Sequence, residues 1–307
     1  MNKVMFIVNP ASGHGRTRGR WKQIAALLQG QGFKFGVEHT AAPLHATELT
    51  RRAIHDKYNC IVAVGGDGTL NEVLNGFFQD GRPLGPDLML SALSTGTGSD
   101  VARVFDFPGR AEDLGRFWNE SSGKSCDIVK ATFNGWDGKK KNRWLINIAD
   151  VGLGSETCLR VNRNSKYLGG FASFLTGALG SIIGFKNHPL SVEIDGREVF
   201  TGPSALVAVA NGRFFGGGMM IAPGARTDDG LLDVVILKEF ARLELLFNMP
   251  KVYRGRHIDH PKVILERGQN VTIRSRDELA LEMEGEVPGK VCQVSFALRP
   301  AALKIVG

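Results

Sequence analysis

Residues Ile61–Phe78, IVAVGGDGTLNEVLNGFF, decide how this chain folds. Ile61 to Val64 form an unbroken apolar run and read as a short buried strand. Gly65, Gly66, Asp67, Gly68 and Thr69 follow at once, and Leu70, Val73, Leu74, Phe77 and Phe78 then recur at helical spacing. A strand, a glycine loop and a helix start make a phosphate-binding arrangement. Glycines let the backbone approach a ligand without an intervening Cβ. The first N–H groups and the positive dipole end of the helix then face an anion. Asp67 is the discordant residue. Beside a phosphate it is repelled by roughly 4 kcal/mol, for unit charges about 4 Å apart at an effective dielectric of about 20. A bridging cation removes that repulsion, and Mg²⁺ is the usual partner of phosphate oxygens. A plain strand-to-helix turn needs only Asp67 or Thr69 as its cap. The glycines surrounding this one Asp exceed that need and favour a nucleotide phosphate.

Working outward, the same unit recurs. Lys3 to Val8 reads as a buried strand, Asn9-Pro10-Ala11-Ser12-Gly13-His14-Gly15 as a loop, and Trp21 to Leu28 as a helix. Asn9 and Ser12 are candidates for phosphate or ribose. The basic run Arg16, Arg18, Arg20, Lys22 starts that helix, where the dipole disfavours cations unless an anion lies near. Phe33 to His39 reads as a strand ending at Thr40, Ala46 to His55 as a helix, and Leu88 to Leu93 as a strand. The last of these runs into Ser94-Thr95-Gly96-Thr97-Gly98-Ser99-Asp100, with a helix starting at Val101. Strands alternating with helices predict a mostly parallel sheet, with ligands gathered at the carboxyl ends of its strands.

After about Cys126 the pattern changes. Arg143 to Ala149, Leu190 to Ile194, Glu198 to Phe200 after an Asp195-Gly196 turn, Ser204 to Ala210, Leu232 to Leu237, Asn270 to Arg274, Leu279 to Met283 and Val291 to Leu298 all read as strands. Arg242 to Arg254 reads as a helix broken near Pro250. Consecutive strands with turn signals predict an antiparallel β-sandwich. Lys139-Lys140-Lys141, beside Asp137-Gly138, is expected at an exposed hairpin tip.

The 307 residues are long for a single core and predict two domains. These are an α/β domain over residues 1–125, joined by about 299–307, and a sandwich over 126–298. Lys and Arg outnumber Asp and Glu by 38 to 31, a formal charge of +7. This excess fits anionic partners in general. The basic residues are scattered, without the aromatic and basic stripe of a nucleic-acid surface, so no nucleic-acid partner is expected. Cys60, Cys126, Cys158 and Cys292 lie far apart, which argues against a zinc site or disulfide framework and for a cytoplasmic setting. No signal-peptide pattern precedes the first strand. Tyr167 to Phe185 carries no charge over 19 residues and is long enough to be weighed as a membrane span, but its glycines, Ser173, Thr176 and Ser181 dilute its hydrophobicity and make the span the minority reading. It reads as a helix of the second domain with an apolar surface, placed either in the core or against lipid.

Three segments carry a family likeness. Asn9-Pro10-Ala11-Ser12-Gly13, Gly65-Gly66-Asp67-Gly68-Thr69-Leu70-Asn71-Glu72 and Gly96-Thr97-Gly98-Ser99-Asp100 resemble the N-terminal motifs of the diacylglycerol kinase catalytic domain. That family includes soluble bacterial lipid kinases and sphingosine kinases. The resemblance continues through Asn211-Gly212, Gly216-Gly217-Gly218, Ala222-Pro223, Asp228-Asp229-Gly230-Leu231, Glu284-Gly285-Glu286 and Arg299-Pro300-Ala301-Ala302-Leu303.

It implies ATP-dependent phosphorylation of a lipid hydroxyl with Mg²⁺ in a cleft between two domains, and a C-terminus that returns to the first. It implies nucleotide contacts from Asn9, Pro10, Ala11, Ser12, Gly13, Thr40, Gly66, Asp67, Gly68, Thr69, Leu70, Asn71, Glu72 and Thr97. It also implies a structural metal on the Asp229 carboxylate and the carbonyls of Arg226 and Leu231. Asp67 and Asp100 would hold Mg²⁺, Glu284 would act as base and Glu286 would assist it. Two positions depart from the family pattern. Ser99 stands where Asn is usual, and Glu284 replaces the Asp of the family's proposed base.

An enzyme of this kind would work at a membrane surface as a cytoplasmic, peripherally associated protein. A two-chain lipid does not leave the bilayer unaided at about 0.8 kcal/mol per buried CH₂. The lipid's identity and the oligomeric state, a homodimer included, stay open. An NAD kinase shares the Gly-Gly-Asp-Gly-Thr loop, and a nucleotide-binding regulator without catalysis would share all the loops; both are carried as alternatives.

Overall fold

The computed structural model describes residues 2–94, 100–105, 107, 118, 122–164 and 180–307. The chain divides into two compact units, Met1–Cys126 with Ala301–Gly307, and Asp127–Pro300.

The first unit is α/β. In chain order it has β1 (Val4–Val8), α1 (Arg16–Gly30), β2 (Phe35–His39), α2 (His45–His55), β3 (Cys60–Gly65), α3 (Asp67–Gly76), β4 (Met89–Ser94) and α4 (Asp100–Val104). The strands are parallel in the order β4-β3-β1-β2. β1, β3 and most of β4 are buried apolar runs, as expected of strands covered on both faces. Phe6, Trp21, Phe35 and Trp118 pack edge-on or tilted around the sheet. Register then fixes the site's location. Val8 pairs with His39 and Val64, and Gly65 with Ser94. The strands therefore end level, and the loops that follow them start at one edge of the sheet.

The second unit is an antiparallel sandwich. Its strands are β5 (Lys124–Asn134), β6 (Lys140–Leu145), β7 (Ile148–Gly152), β8 (His188–Ile194), β9 (Arg197–Ala210), β10 (Leu232–Lys238), β11 (Val263–Gly268), β12 (Asn270–Met283) and β13 (Glu286–Ile305), with α5 (Leu153–Asn164) after β7 and α6 (Arg242–Val252) after β10. The main path runs β11-β10-β9-β8-β12-β13, while β7 pairs with both β9 and β12. Alternate residues such as Val192, Val207, Val209, Val234, Ile236 and Leu281 fill its core.

Four segment readings need correction. The strand expected over Arg143 to Ala149 is two strands, because the N–H groups of Ile146 and Asn147 turn to a carboxylate (below) instead of a ladder. Glu198 to Phe200 and Ser204 to Ala210 are one strand, β9, which passes from β8 to β10 at Ser204. The two pieces expected within Asn270 to Met283 are likewise one strand, with a register shift between Arg274 and Leu279. Pro250 lies inside α6 without ending it. The 3.6-residue repeat survives there because the preceding Leu245 face is already anchored in the core.

Candidate active site

In the first unit the level strand ends bring the Asn9 and Gly66 loops together. The Asn9 amide donates from Nδ2 to Thr69 Oγ1 (3.0 Å), and its Oδ1 accepts the N–H of Ala11 (3.1 Å). The Asn9 N–H itself bonds the Val64 carbonyl. Gly66 lies against Ser12, whose Oγ is 3.7 Å from where a Cβ would stand. At Gly65 a Cβ would sit 2.5 Å from Thr69 Oγ1, so only glycine lets the helix start this close to the strand. α3 begins at Asp67 with Gly66 as N-cap, a residue with no side chain to cover the helix end. The Asp67 carboxylate accepts the N–H of Asp100 through Oδ2 (3.0 Å), and Arg103 Nε lies 3.7 Å from Asp100 Oδ1. The Asp67 carboxylate thus reaches the backbone of Asp100 beside the partly exposed helix start, and carboxylate oxygens are hard donors of the kind Mg²⁺ takes.

Thr40 sits at the same sheet edge, its N–H bonded to the Val8 carbonyl. Pro10 and Gly13 lie partly exposed in the Asn9 loop, Gly68 is partly exposed in the first turn of α3, and Ala11 is exposed. Leu70 and Asn71 are buried on α3, and Glu72 turns toward α2, accepting the Ala46 N–H at 3.3 Å. Thr97 and Ser99 lie outside the described residues, as does 167–179 of the apolar stretch.

In the second unit Glu284 and Gly285 form the turn between β12 and β13, both at positive φ (54° and 86°). Glu284 is buried, and its Oε1 accepts the N–H groups of Ile146 (2.6 Å) and Asn147 (2.8 Å). These are the amides of the two residues that separate β6 from β7 along the chain. The same short loop is pinned from behind, since Asn211 Nδ2 donates to the carbonyls of Ile146 (2.8 Å) and Asp127 (2.9 Å). Asn147 in turn donates to the Phe214 carbonyl (2.8 Å). Glu286 points elsewhere, with Oε2 bonded to Arg143 at 2.6 Å.

The sequence reading missed a second carboxyl pair here. Asp150 on β7 and Glu282 on β12 are cross-strand partners, both buried, and no N–H or hydroxyl of another residue reaches their Oδ2 and Oε2 atoms, which leaves each carboxyl facing the other. Burial pushes Asp150 up to about 7. Burial first, then the Asp150 charge, raises Glu282 well above the carboxylate range. Two buried carboxyls this close hold a proton between them. Asp150 Oδ1 accepts the Ser155 N–H (2.8 Å), and Glu282 Oε1 accepts the Gly285 N–H (2.5 Å), so the pair supports the Glu284 turn. The only signal in the sequence was a carboxyl at an inward position of each strand.

At the implied structural-metal position both Asp229 oxygens are engaged. Asp229 Oδ1 accepts the Leu231 N–H (3.2 Å), while its other oxygen pairs with Arg267, whose Nε lies 3.4 Å from Asp233 Oδ1. Asp233 is buried and its Oδ2 has no hydrogen-bond partner. Burial raises its pKa, against the opposing pull of Arg267. That buried oxygen of Asp233 is a hard donor of the kind such a cation takes, with the Arg267 guanidinium as the positive charge now beside it.

The whole chain has relatives. Residues 3–131 match the diacylglycerol kinase catalytic domain, and 148–307 match the YegS C-terminal NAD kinase beta sandwich-like domain. A diacylglycerol kinase of Staphylococcus carnosus (strain TM300) is 29% identical over 290 residues, 94% of this chain and 90% of that protein. One from Staphylococcus aureus (strain bovine RF122 / ET3-1) is 30% identical over 291 residues, 94% of this chain and 87% of that protein. A solved candidate diacylglycerol kinase from Bacillus anthracis str. Sterne superposes with a TM-score of 0.76 at 23% identity, covering 99% of this chain and 95% of that one. Yeast NADH kinase complexed with NADH gives 0.53 at 10% identity, over 99% and 82%. The two structures share the fold.

The fold is the one that diacylglycerol kinases and NAD kinases share, an α/β unit followed by a β-sandwich. Within that fold the chain belongs to the diacylglycerol kinase family, a family of lipid kinases.

Proposed function

We propose that the protein transfers the γ-phosphoryl group of ATP to the hydroxyl of a lipid, diacylglycerol or a close relative, with Mg²⁺. The observation that carries this reading is the meeting of Asp67 and Asp100 at the uncapped start of α3, beside Asn9, Ser12 and Thr69. The backbone of the Asn9–Gly13 loop and the start of α3 would cradle the phosphates, with Thr40 and Thr97 at the nucleotide's flank. Asp67 and Asp100 would hold Mg²⁺, which when bound neutralises phosphate oxygens. Glu284 would take the proton of the lipid hydroxyl. Its Oε1 bonds to Ile146 and Asn147 fix the carboxylate, and Oε2 would receive the proton. Glu286, held by Arg143, would assist through charge instead of proton transfer. Asp229, with the carbonyls of Arg226 and Leu231, would hold a structural cation.

The test is a panel of acceptors with γ-labelled ATP and Mg²⁺: diacylglycerol, phosphatidylglycerol, sphingoid base, ceramide and NAD. Label in a lipid phosphate supports the reading. Label in NAD alone, or in no acceptor, overturns it.

A further inference from the structure

α6 buries little of itself; Leu245 is its one buried residue. Its exposed positions are Arg242, Leu243, Leu246, Phe247, Pro250 and Lys251, continued past the helix end by Arg254. Steps of four place these on one helical face. The middle of that face is apolar, with Leu243 67%, Leu246 40% and Phe247 75% exposed. Its ends are basic. Glu244, the acidic residue of α6, is turned away: its carboxylate takes Lys262 Nζ at 2.9 and 2.7 Å and the Ala241 N–H at 2.8 Å.

The patch extends beyond the helix. Arg242 Nε donates to the Phe185 carbonyl (3.1 Å), and the Asn187 side chain bonds both the carbonyl and the N–H of Phe240. These bonds tie residues 180–187 to the start of α6. Ile182 and Phe185 there pack into the same core cluster as Leu245, while Ile183 is 73% exposed. Large aliphatic and aromatic side chains held out by a well-anchored helix are costly in water, and they call for an apolar surface to cover them.

We propose that this face of α6, together with Ile183, docks the protein on an acidic phospholipid bilayer. The proposal rests on the lipid-kinase reading for its purpose and on charge for its occupant. A helix with bulky apolar side chains between cationic ends suits an interface of acyl chains and anionic headgroups. A second copy fits badly. A two-fold antiparallel pairing of this face would set Arg242 against Lys251 and Arg254 of the other copy, like charge on like.

The experiment measures flotation with phosphatidylcholine vesicles, with and without phosphatidylserine, for wild type, the double variant Leu243→Ser/Phe247→Ser and the double variant Lys251→Glu/Arg254→Glu. All these residues are exposed, and unchanged melting curves confirm folding. Wild type is expected to float with phosphatidylserine vesicles. Either double variant should lower the partition coefficient by about tenfold or more. Phosphorylation of a water-soluble short-chain diacylglycerol should be unchanged. Loss of activity on every lipid would sink the kinase reading and leave the flotation result standing. Equal flotation of all three proteins, or equal binding to neutral vesicles, would overturn the docking proposal. So would a wild-type dimer in light scattering that Leu243→Ser/Phe247→Ser turns into a monomer.

Discussion

Asp150 and Glu282 stand opposite each other on β7 and β12, two carboxyl groups in one buried spot. Asp150 is raised from the ordinary carboxylate range, about 4, to about 7. An acid raised in the folded state contributes most below its unfolded pKa, and that contribution is lost as pH rises through the folded value. Thermal stability should therefore fall between about pH 4 and about pH 7, by at most on the order of 4 kcal/mol from Asp150. Asp150→Asn should flatten that slope and melt higher than wild type above pH 7. A slope unchanged in Asp150→Asn would show that the proton lies elsewhere.

Asp67 accepts the Asp100 N–H and lies at the start of α3. Asp67→Ala should lower kcat by about a hundredfold or more, equivalent to about 3 kcal/mol in the barrier, with the melting temperature within a few degrees of wild type. Activity within about tenfold of wild type would remove Asp67 from the metal site.

Glu284→Gln keeps an oxygen to accept the Ile146 and Asn147 amides but cannot take a proton. It should fold normally and lose about 10²–10⁴-fold in kcat. Glu284→Asp should also be impaired, since its shorter side chain falls short of those amides. A faster Asp variant would mean that the site is still shaped for Asp. An active Gln variant would pass the base role to another residue.

Asp229 shares Arg267 with the buried Asp233. Asp229→Ala should lower the melting temperature, and added Mg²⁺ should raise it for wild type only, because a ligand of the folded state stabilises that state. Identical Mg²⁺ responses would show that no cation is held at Asp229.

Ile182 and Ile183 separate the core and surface readings of the apolar stretch. Ile182→Glu would place an unpartnered charge in the core and should unfold the protein at ordinary temperature, whereas Ile183→Glu should leave the melting curve within about 0.5 kcal/mol of wild type. Equal effects of the two changes would contradict the burial pattern.

The residue order alone determined the local units. The apolar run Ile61 to Val64, its glycines and the helical repeat after them could form little other than a strand, a tight loop and a helix. The ordered motifs added the family and its chemistry as an expectation that the relatives then supported at the level of a lipid kinase. Asp195-Gly196 likewise announced its hairpin, and both residues take positive φ there. These features rest on interactions between near neighbours, which periodicity and turn chemistry report directly.

Tertiary structure decided what depends on register between distant strands. Ile146 and Glu284 are 138 positions apart, and no local pattern says that the amides of one loop will leave their ladder for the carboxylate of another. Asn211 clamping Ile146, Asp150 facing Glu282, and Arg143 drawing Glu286 are of the same kind. A one-residue slip in any of these strands would turn each inward side chain to the opposite face. The core positions Val151 and Leu281 are register partners, and packing them together fixes the pairing that sets Asp150 against Glu282 beside them.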